Sequence, residues 1–518
     1  MSPHAIVIGS GFGGMAAALR ACAKGYRVTV LEKLDKPGGR AYVHELDGFR
    51  FDAGPTIITA SQFFQELWDL FGEQFSQDAT LQWLDPFYRV RFDDGTHFDY
   101  TNDLARMREQ IVAIAPDDLP GYEAFMTEAA YCLRLGFEEL GCVAFNTLGQ
   151  FLSAVPALVR MKGWRTFHQM VASHMRHPKL RMVFSLQSLL IGGNPFSVTS
   201  IYSLINALER KWGVAWAQGG TGALIHAMHA LLVRHGGELR CDSEVAQIEI
   251  EPRGAKGRPR ATGVRLTNGQ VLNADIVISN ADTAWTYKHL VDPAYRRRWT
   301  DRKIARGKYS MSLFVWYFGL NRQYPEVPHH QMVLGPRYEG LLTDIFRRHK
   351  LSDDFSLYVH RPTATDTGMA PAGCDTYYAL SPVPHLDSGT DWPAYAETYR
   401  KKVAQRLNDT ILPGFEQHVV VSHLTHPKEF ETRLLSYKGA AFGLEPVMTQ
   451  SAWFRPHNQS EDIDALYMVG ASTHPGAGVP GVLMSAKALD TVLPTAAQWA
   501  SAQPGVPHRL APTKVRHA

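Results

Sequence analysis

What this chain can fold into is constrained most by its first 32 residues. A short apolar run at 5–8 breaks into Gly9-Ser10-Gly11-Phe12-Gly13-Gly14 and continues as an Ala-rich helical pattern over 15–23. A second apolar run over 26–31 ends on Glu32. The pattern predicts strand, turn, helix and strand, with glycines at 9, 11 and 14. Gly9 allows the tight turn, Gly11 lets backbone approach a pyrophosphate, and Gly14 lets the helix sit close on the strand. The helix N-terminus offers unpaired N–H groups and partial positive charge to phosphates. Glu32, ending the second strand, stands where a carboxylate accepts hydrogen bonds from both ribose hydroxyls.

The choice between nicotinamide and flavin follows from the next segments. Pro37-Gly38-Gly39-Arg40 lies just beyond Glu32, and Asp52-Ala53-Gly54-Pro55-Thr56 comes soon after. A second glycine pair with an arginine suits a loop closing over the same pyrophosphate through a charge-assisted contact. A nicotinamide must leave after each turnover, whereas this clamp indicates a cofactor that stays. The expected cofactor is FAD.

A chain of 518 residues builds more than one folding unit. Its net charge of +3 is too mild for nucleic-acid binding, and no basic-aromatic module of that kind is present. The five cysteines are scattered without CxxC spacing, which indicates a reducing compartment and no metal centre. The first strand begins almost at the first residue, so no signal peptide is expected. No apolar run approaches the roughly 20 residues of a spanning helix, so membrane contact is expected from one side only, at the inner face of the cell membrane.

The fold class expected is α/β, a Rossmann-like FAD-binding domain with an inserted antiparallel-sheet substrate domain and a helical membrane-facing cap. The FAD domain is read from three segments, 1–80, 216–290 and 451–497. Residues 81–215 supply a hairpin through Asp93-Asp94-Gly95-Thr96 and the cap, 291–450 the antiparallel sheet, and 498–518 a Pro-rich, polar, disordered tail. The cap has the most unusual composition. No Asp or Glu occurs from 140 to 208, while Arg160, Lys162, Arg165, Arg176, Lys179 and Arg181 alternate with large apolar residues. Two readings of 151–193 stand: a membrane-surface element, or a core-packed cap with a solvated basic face.

Near the other end, Gly470-Ala471-Ser472-Thr473-His474-Pro475-Gly476-Ala477-Gly478-Val479-Pro480-Gly481-Val482 joins a strand to a helix beginning about Val482. A helix N-terminus at Gly481-Val482 suits the positive donor that a reduced flavin ring needs. His474 is either an acid or base beside the ring or a histidine hydrogen-bonded within its loop.

Together these stretches resemble the amine-oxidase/carotenoid-desaturase superfamily, and more closely its bacterial-type phytoene desaturases. Further stretches carrying the likeness are Gly192-Gly193-Asn194-Pro195-Phe196, Gly219-Gly220-Thr221-Gly222, Ser279-Asn280-Ala281-Asp282 and Gln450-Ser451-Ala452-Trp453-Phe454-Arg455-Pro456. The resemblance implies that Gly9, Gly11, Gly14 and Arg40 contact the pyrophosphate, Glu32 the ribose, and Val245 the adenine through its backbone. It places Gly470, Pro480, Gly481 and Val482 along the ribityl chain and ring, with Lys33, Gly39, Gly54, Pro55, Thr56 and Asn280 completing the cofactor contacts. Position 471, often acidic in amine oxidases, is alanine, and no cysteine near 470–482 offers a covalent flavin link. Both features count against an amine oxidase.

The activity implied is FAD-dependent desaturation of phytoene to neurosporene or lycopene, with oxygen or a quinone as electron acceptor. Candidate proton acceptors are Glu209, His474 and Glu445, each with a structural alternative. A desaturase or isomerase of a later carotenoid, and a non-catalytic prenyl-lipid escort protein, are the competing readings.

Overall fold

The computed structural model describes residues 2–252 and 257–502. The tail expectation for 503–518 falls outside the described residues. His4–Ile8 and Arg27–Leu31 pair in parallel with Ala5 opposite Val28, and Ile276–Ser279 lies parallel on the other side of His4–Ile8. Glu238–Arg240 and Leu466–Met468 complete a five-stranded parallel sheet at its two edges. Its central strands are buried on both faces, which is why they read as unbroken apolar runs. The helix Phe12–Ala23 packs against the sheet and against two helices from distant sequence, Thr221–Arg234 and Val479–Leu489. A small antiparallel sheet (Val245–Glu251, Arg260–Leu266, Val271–Asn273) is hydrogen-bonded separately and packs Val245, Ile248 and Val264 into one core with Ile6, Ile8 and Val277 of the parallel sheet.

The second large element is a seven-stranded sheet. Its order is Val419–Thr425, Ser312–Leu320, Asp375–Val383, Leu357–His360, His330–Val333, Tyr88–Arg91 and His97–Tyr100. All neighbours are antiparallel except His330–Val333 beside Tyr88–Arg91. Side chains alternate between faces with period two. Phe314, Trp316, Phe318, Tyr377, Ala379 and Val359 face the helix Trp392–Thr410, with Phe314 edge-on to Tyr399 at 4.9 Å. Leu313, Val315, Tyr378, Leu380, Tyr358 and Met332 face the opposite way, into a cavity.

The helical cap comprises Leu104–Ile114, Leu119–Cys132, Leu148–Arg160, Phe167–His174, Pro178–Ser185 and Leu204–Trp212. Its acid-free stretch is not free of acids in space. Glu128 binds Arg165 at 2.6 Å and His174 at 2.8 Å, Lys179 reaches Asp94 at 2.5 Å, and Asp118 accepts the backbone N–H groups of Arg176 and His177. Residues 165–185 are therefore tied to the body by carboxylates from neighbouring segments. Within the acid-free stretch the exposed large apolar side chains belong to the preceding helix, Leu148–Arg160, and to Trp164.

Candidate functional site

The three glycine-bearing segments meet at Asn280, at the end of strand Ile276–Ser279. A Cβ on Gly13 would lie 2.6 Å from Asn280 Oδ1 and 3.1 Å from Gly470 Cα, and one on Gly470 would lie 2.6 Å from the same oxygen. Residues 13, 280 and 470 thus touch although 457 positions separate the outer two (470 − 13). A Cβ on Gly14 would fall 2.0 Å from the Gly9 carbonyl oxygen, so only glycine closes this turn. Gly14 and Gly470 build the junction without facing the cavity, whereas Gly9, Gly11 and Gly13 line it.

Glu32 is 5% exposed. Its Oε2 accepts from Ser10 N at 2.9 Å and Ser10 Oγ at 2.5 Å, and its Oε1 from Leu34 N at 3.0 Å. The carboxylate is thereby fixed at the rim with lone pairs left for a ribose. Beside it, Arg40 donates Nη2 to Ser436 Oγ at 2.9 Å, while its buried Nε has no hydrogen-bond partner. Burial pulls the Arg40 guanidinium below its ordinary value, and the Asp282 carboxylate opposes that shift. A cationic donor held unpaired over a glycine turn suits a phosphate. A Cβ on Gly54 would lie 1.9 Å from Arg40 O, so Gly54 lets the two clamp loops touch.

Lys33, Gly39, Pro55, Thr56 and Val245 line the same cavity. Lys33 donates to Thr432 O at 2.8 Å, and Thr56 Oγ1 lies 2.8 and 2.7 Å from the Tyr358 and Tyr378 hydroxyls. The second glycine cluster brings in Pro480, Gly481 and Val482. Its helix starts at Val479, three residues before the expected start, because Val482 N already donates to Gly478 O at 2.9 Å. Pro480 has no N–H, so Val479 and Gly481 carry the first-turn donors.

One cavity of about 550 Å³ joins this cradle to an apolar chamber. It runs from Gly11, Glu32 and Arg40 past Gly481 to Leu186, Leu189, Leu313, Val315, Met332 and Phe442. Buried acceptors, a guanidinium with one donor left unpaired and glycine backbone at one end fit a dinucleotide, and the hydrocarbon walls at the other fit an apolar substrate.

Residues 12–488 match the family described as flavin containing amine oxidoreductase. The chain belongs to that family. Among its relatives is the phytoene desaturase (neurosporene-forming) of Cereibacter sphaeroides, 45% identical over 95% of each chain. The phytoene desaturase (lycopene-forming) of a Paracoccus species is 44% identical over 94% of this chain and 97% of its own. Putrescine oxidase bound to putrescine shares the fold with a TM-score of 0.63 at 13% identity, covering 96% of this chain and 99% of its own. An oxidoreductase from Methanosarcina mazei shares it with a TM-score of 0.62 at 15% identity, covering 93% and 98%. The cofactor of this flavoenzyme is FAD, and the cradle described above is where this chain would hold it.

The candidate proton carriers fall in different places. Glu209 lines the cavity, fully buried, and accepts from Tyr88 OH at 2.9 Å; Tyr88 in turn accepts from Gln187 Nε2 at 2.9 Å. Its Oε1 has no partner, and burial pushes the carboxyl up to about 8, against the opposing pull of the Tyr88 hydrogen bond. His474 also lines the cavity, edge-on to Phe145 at 5.0 Å, with both ring nitrogens buried beside the backbone of Leu140 and Gly141. Burial, then the Arg455 charge, lowers it to about 3. Glu445 sits outside the cavity lining, accepting from Ser197 Oγ at 2.6 Å, and burial raises its carboxyl.

Several wall residues carry no sequence signal. Arg433, Leu434 and Leu435 enter the cavity from a segment without glycine or proline punctuation. Ser10, the residue that fixes Glu32, occupies a variable position of the glycine motif.

Proposed function

We propose that this flavoenzyme is a phytoene desaturase, removing a hydride and a proton from each of several successive CH–CH units beside the growing polyene to give neurosporene or lycopene. The observation that carries this reading is the single cavity joining the dinucleotide cradle to an apolar chamber. FAD, when bound, supplies the hydride acceptor. Glu32 and Arg40 fix the cofactor's position, and Leu313, Val315, Met332 and Phe442 orient the hydrocarbon and exclude water. Apolar burial contributes about 0.8 kcal/mol per methylene, so a long polyene binds here without a polar handle.

His474 is the residue we assign to the substrate proton. It presents a neutral imidazole ring at the cavity wall. A basicity as low as about 3 suffices, because a CH next to a conjugated cation is a strong acid. Glu209, whose carboxyl keeps its proton at neutral pH, holds the chamber wall through Tyr88.

The substrate enters from a membrane, and the docking element is the helix Leu148–Arg160 with Trp164. Leu152 is 58% and Trp164 63% exposed, and Leu148, Val159, Met448 and Phe454 extend the apolar surface. Phe151 packs edge-on to Phe454 at 5.5 Å, while Leu158, Met161 and Ala452, from the same two segments, line the cavity. Exposed Arg160 and Lys162 flank the patch, as suits an anionic membrane surface. Among the described residues no helix is long and apolar enough to cross a membrane; in this reading attachment is peripheral, at the inner face of the cell membrane. The electrons pass on to oxygen or a quinone.

Product analysis in a host supplying phytoene tests the reading. Neurosporene or lycopene is expected. Unchanged phytoene with conversion of a later carotenoid, or a protein that binds carotenoid without reaction, contradicts it.

A further inference from the structure

Three histidines converge where the seven-stranded sheet passes beneath Trp216. His330 and His360 are direct cross-strand partners, and His360 is in turn opposite Tyr378, so these side chains share the cavity-side face. His329 immediately precedes strand His330–Val333 and turns into the same space. The rings are 5%, 1% and 1% exposed for His329, His330 and His360. Trp216 covers them, 4.8 Å from the His329 ring and 5.2 Å from that of His360.

The nitrogens are arranged toward one another. His329 Nε2 and His360 Nε2 are 3.1 Å apart, and one nitrogen from each of the three rings lies within 4.8 Å of the others. Two rings are fixed from behind by hydroxyls: His329 Nδ1 lies 2.6 Å from Thr365 Oγ1, and His330 Nδ1 lies 2.8 Å from Tyr358 OH. His330 Nε2 and His360 Nδ1 are buried without a hydrogen-bond partner. A purely internal network therefore satisfies the His329–His360 contact and leaves two nitrogens unpaired in a dry space, at a cost in free energy. None of the three imidazoles is hydrogen-bonded to a carboxylate among the described residues, so they are not the cationic halves of ion pairs.

Converging imidazole nitrogens, with hydrogen bonds behind them that set ring orientation, are what a late first-row transition ion takes as ligands. We propose that His329, His330 and His360 form a metal site, with zinc as the reference ion, that clamps two neighbouring strands at the cavity wall. The bound ion fixes His330 and through it the Tyr358 hydroxyl. Tyr358 and Tyr378 both reach Thr56 of the clamp loop, so the site braces the wall between substrate chamber and dinucleotide cradle. Its role is structural and does not depend on which hydrocarbon the chamber takes. The adjacent residues 329 and 330 and the distant 360 follow no ligand-spacing motif, which is why sequence reading predicted no metal.

A second group, His349, His385 and Asp387, is the internal control. Its carboxylate is occupied by Lys438 at 2.6 Å, and it lies nearer the surface. The test uses the full-length FAD-loaded protein without an added histidine tag, treated with Zn2+ and then desalted. About one zinc per chain is expected to remain, with an X-ray absorption shell of three imidazole nitrogens at about 2.0 Å. His330→Gln and His360→Gln are expected to weaken zinc binding about tenfold or more against a chromophoric chelator, and His349→Gln to leave it unchanged. Flavin content verifies that each variant is folded. No retained zinc, an oxygen-dominated shell, or loss of binding on His349→Gln overturns the proposal; the absorption shell of the unmutated protein decides the matter if the variants do not fold.

Discussion

Replacing Glu209 by glutamine separates the wall role of this residue from a catalytic one. The folded state holds the Glu209 carboxyl at about 8, while an unfolded chain releases that proton near 4.5, the ordinary value of a glutamate. Between these values the unfolded state binds fewer protons than the folded state, so stability falls as pH rises, and the loss is complete above about pH 8. For this one group the loss between pH 5 and pH 8 is roughly 3–4 kcal/mol. Glu209→Gln cannot ionise and is exempt. Asp52 and Glu445, also raised by burial, add to the slope of both proteins and cancel in the difference. With an unfolding entropy of about 2.1 cal/mol/K per residue, 3–4 kcal/mol corresponds to about 3–4 °C in a chain of this size. The assay is the apparent melting temperature of both FAD-loaded proteins at one scan rate from pH 5 to pH 8. The variant's advantage should grow by that amount toward pH 8, and activity should stay within about threefold, because glutamine still accepts from Tyr88. A constant difference across pH refutes the buried neutral carboxyl, and a hundredfold loss of activity with FAD retained refutes the wall role.

Other predictions concern the cradle, the proton acceptor and the membrane face. Gly14→Ala drives a Cβ to 2.0 Å from Gly9 O and should abolish FAD retention, read as flavin absorbance per chain. Arg40→Ala removes the buried guanidinium beside the glycine turn and should weaken FAD binding by at least about tenfold, measured by titrating the apoprotein. His474→Phe should lower kcat about a hundredfold with FAD content unchanged. Because His474 stays neutral from pH 5 to pH 9, the unmutated enzyme should show no limb from it in that range. Leu152→Asp with Trp164→Asp should reduce co-sedimentation with anionic liposomes at least about tenfold, while activity on detergent-dispersed phytoene persists.

What was legible in the chain was local. The turn around Gly9–Gly14 and the acid at 32 declare themselves because spacing, strand period and helix start lie within one short window. The strand 312–320 shows as a continuous apolar run, buried at every position. Long-range pairing was not legible. Leu81–Trp83 pairs with Ala215–Ala217 instead of joining the hairpin beside it, and His330–Val333 lies parallel to Tyr88–Arg91 from far earlier in the chain. The basic cap misleads in one dimension because Glu128, which pairs with Lys162 and Arg165, and Asp94, which pairs with Lys179, lie outside the acid-free stretch. The histidine cluster is hidden similarly, since cross-strand register and not spacing brings His330 to His360.

The central claim is that the turns around Gly11 and Gly481 grip one flavin that faces a hydrocarbon chamber. Mixing the FAD-loaded protein anaerobically with phytoene in liposomes tests it most directly, following the oxidised-flavin absorbance and the carotenoids together. Bleaching of the flavin, matched by an equal amount of newly desaturated carotenoid, is the expected result. Flavin that stays oxidised while bound phytoene is recovered unchanged contradicts it.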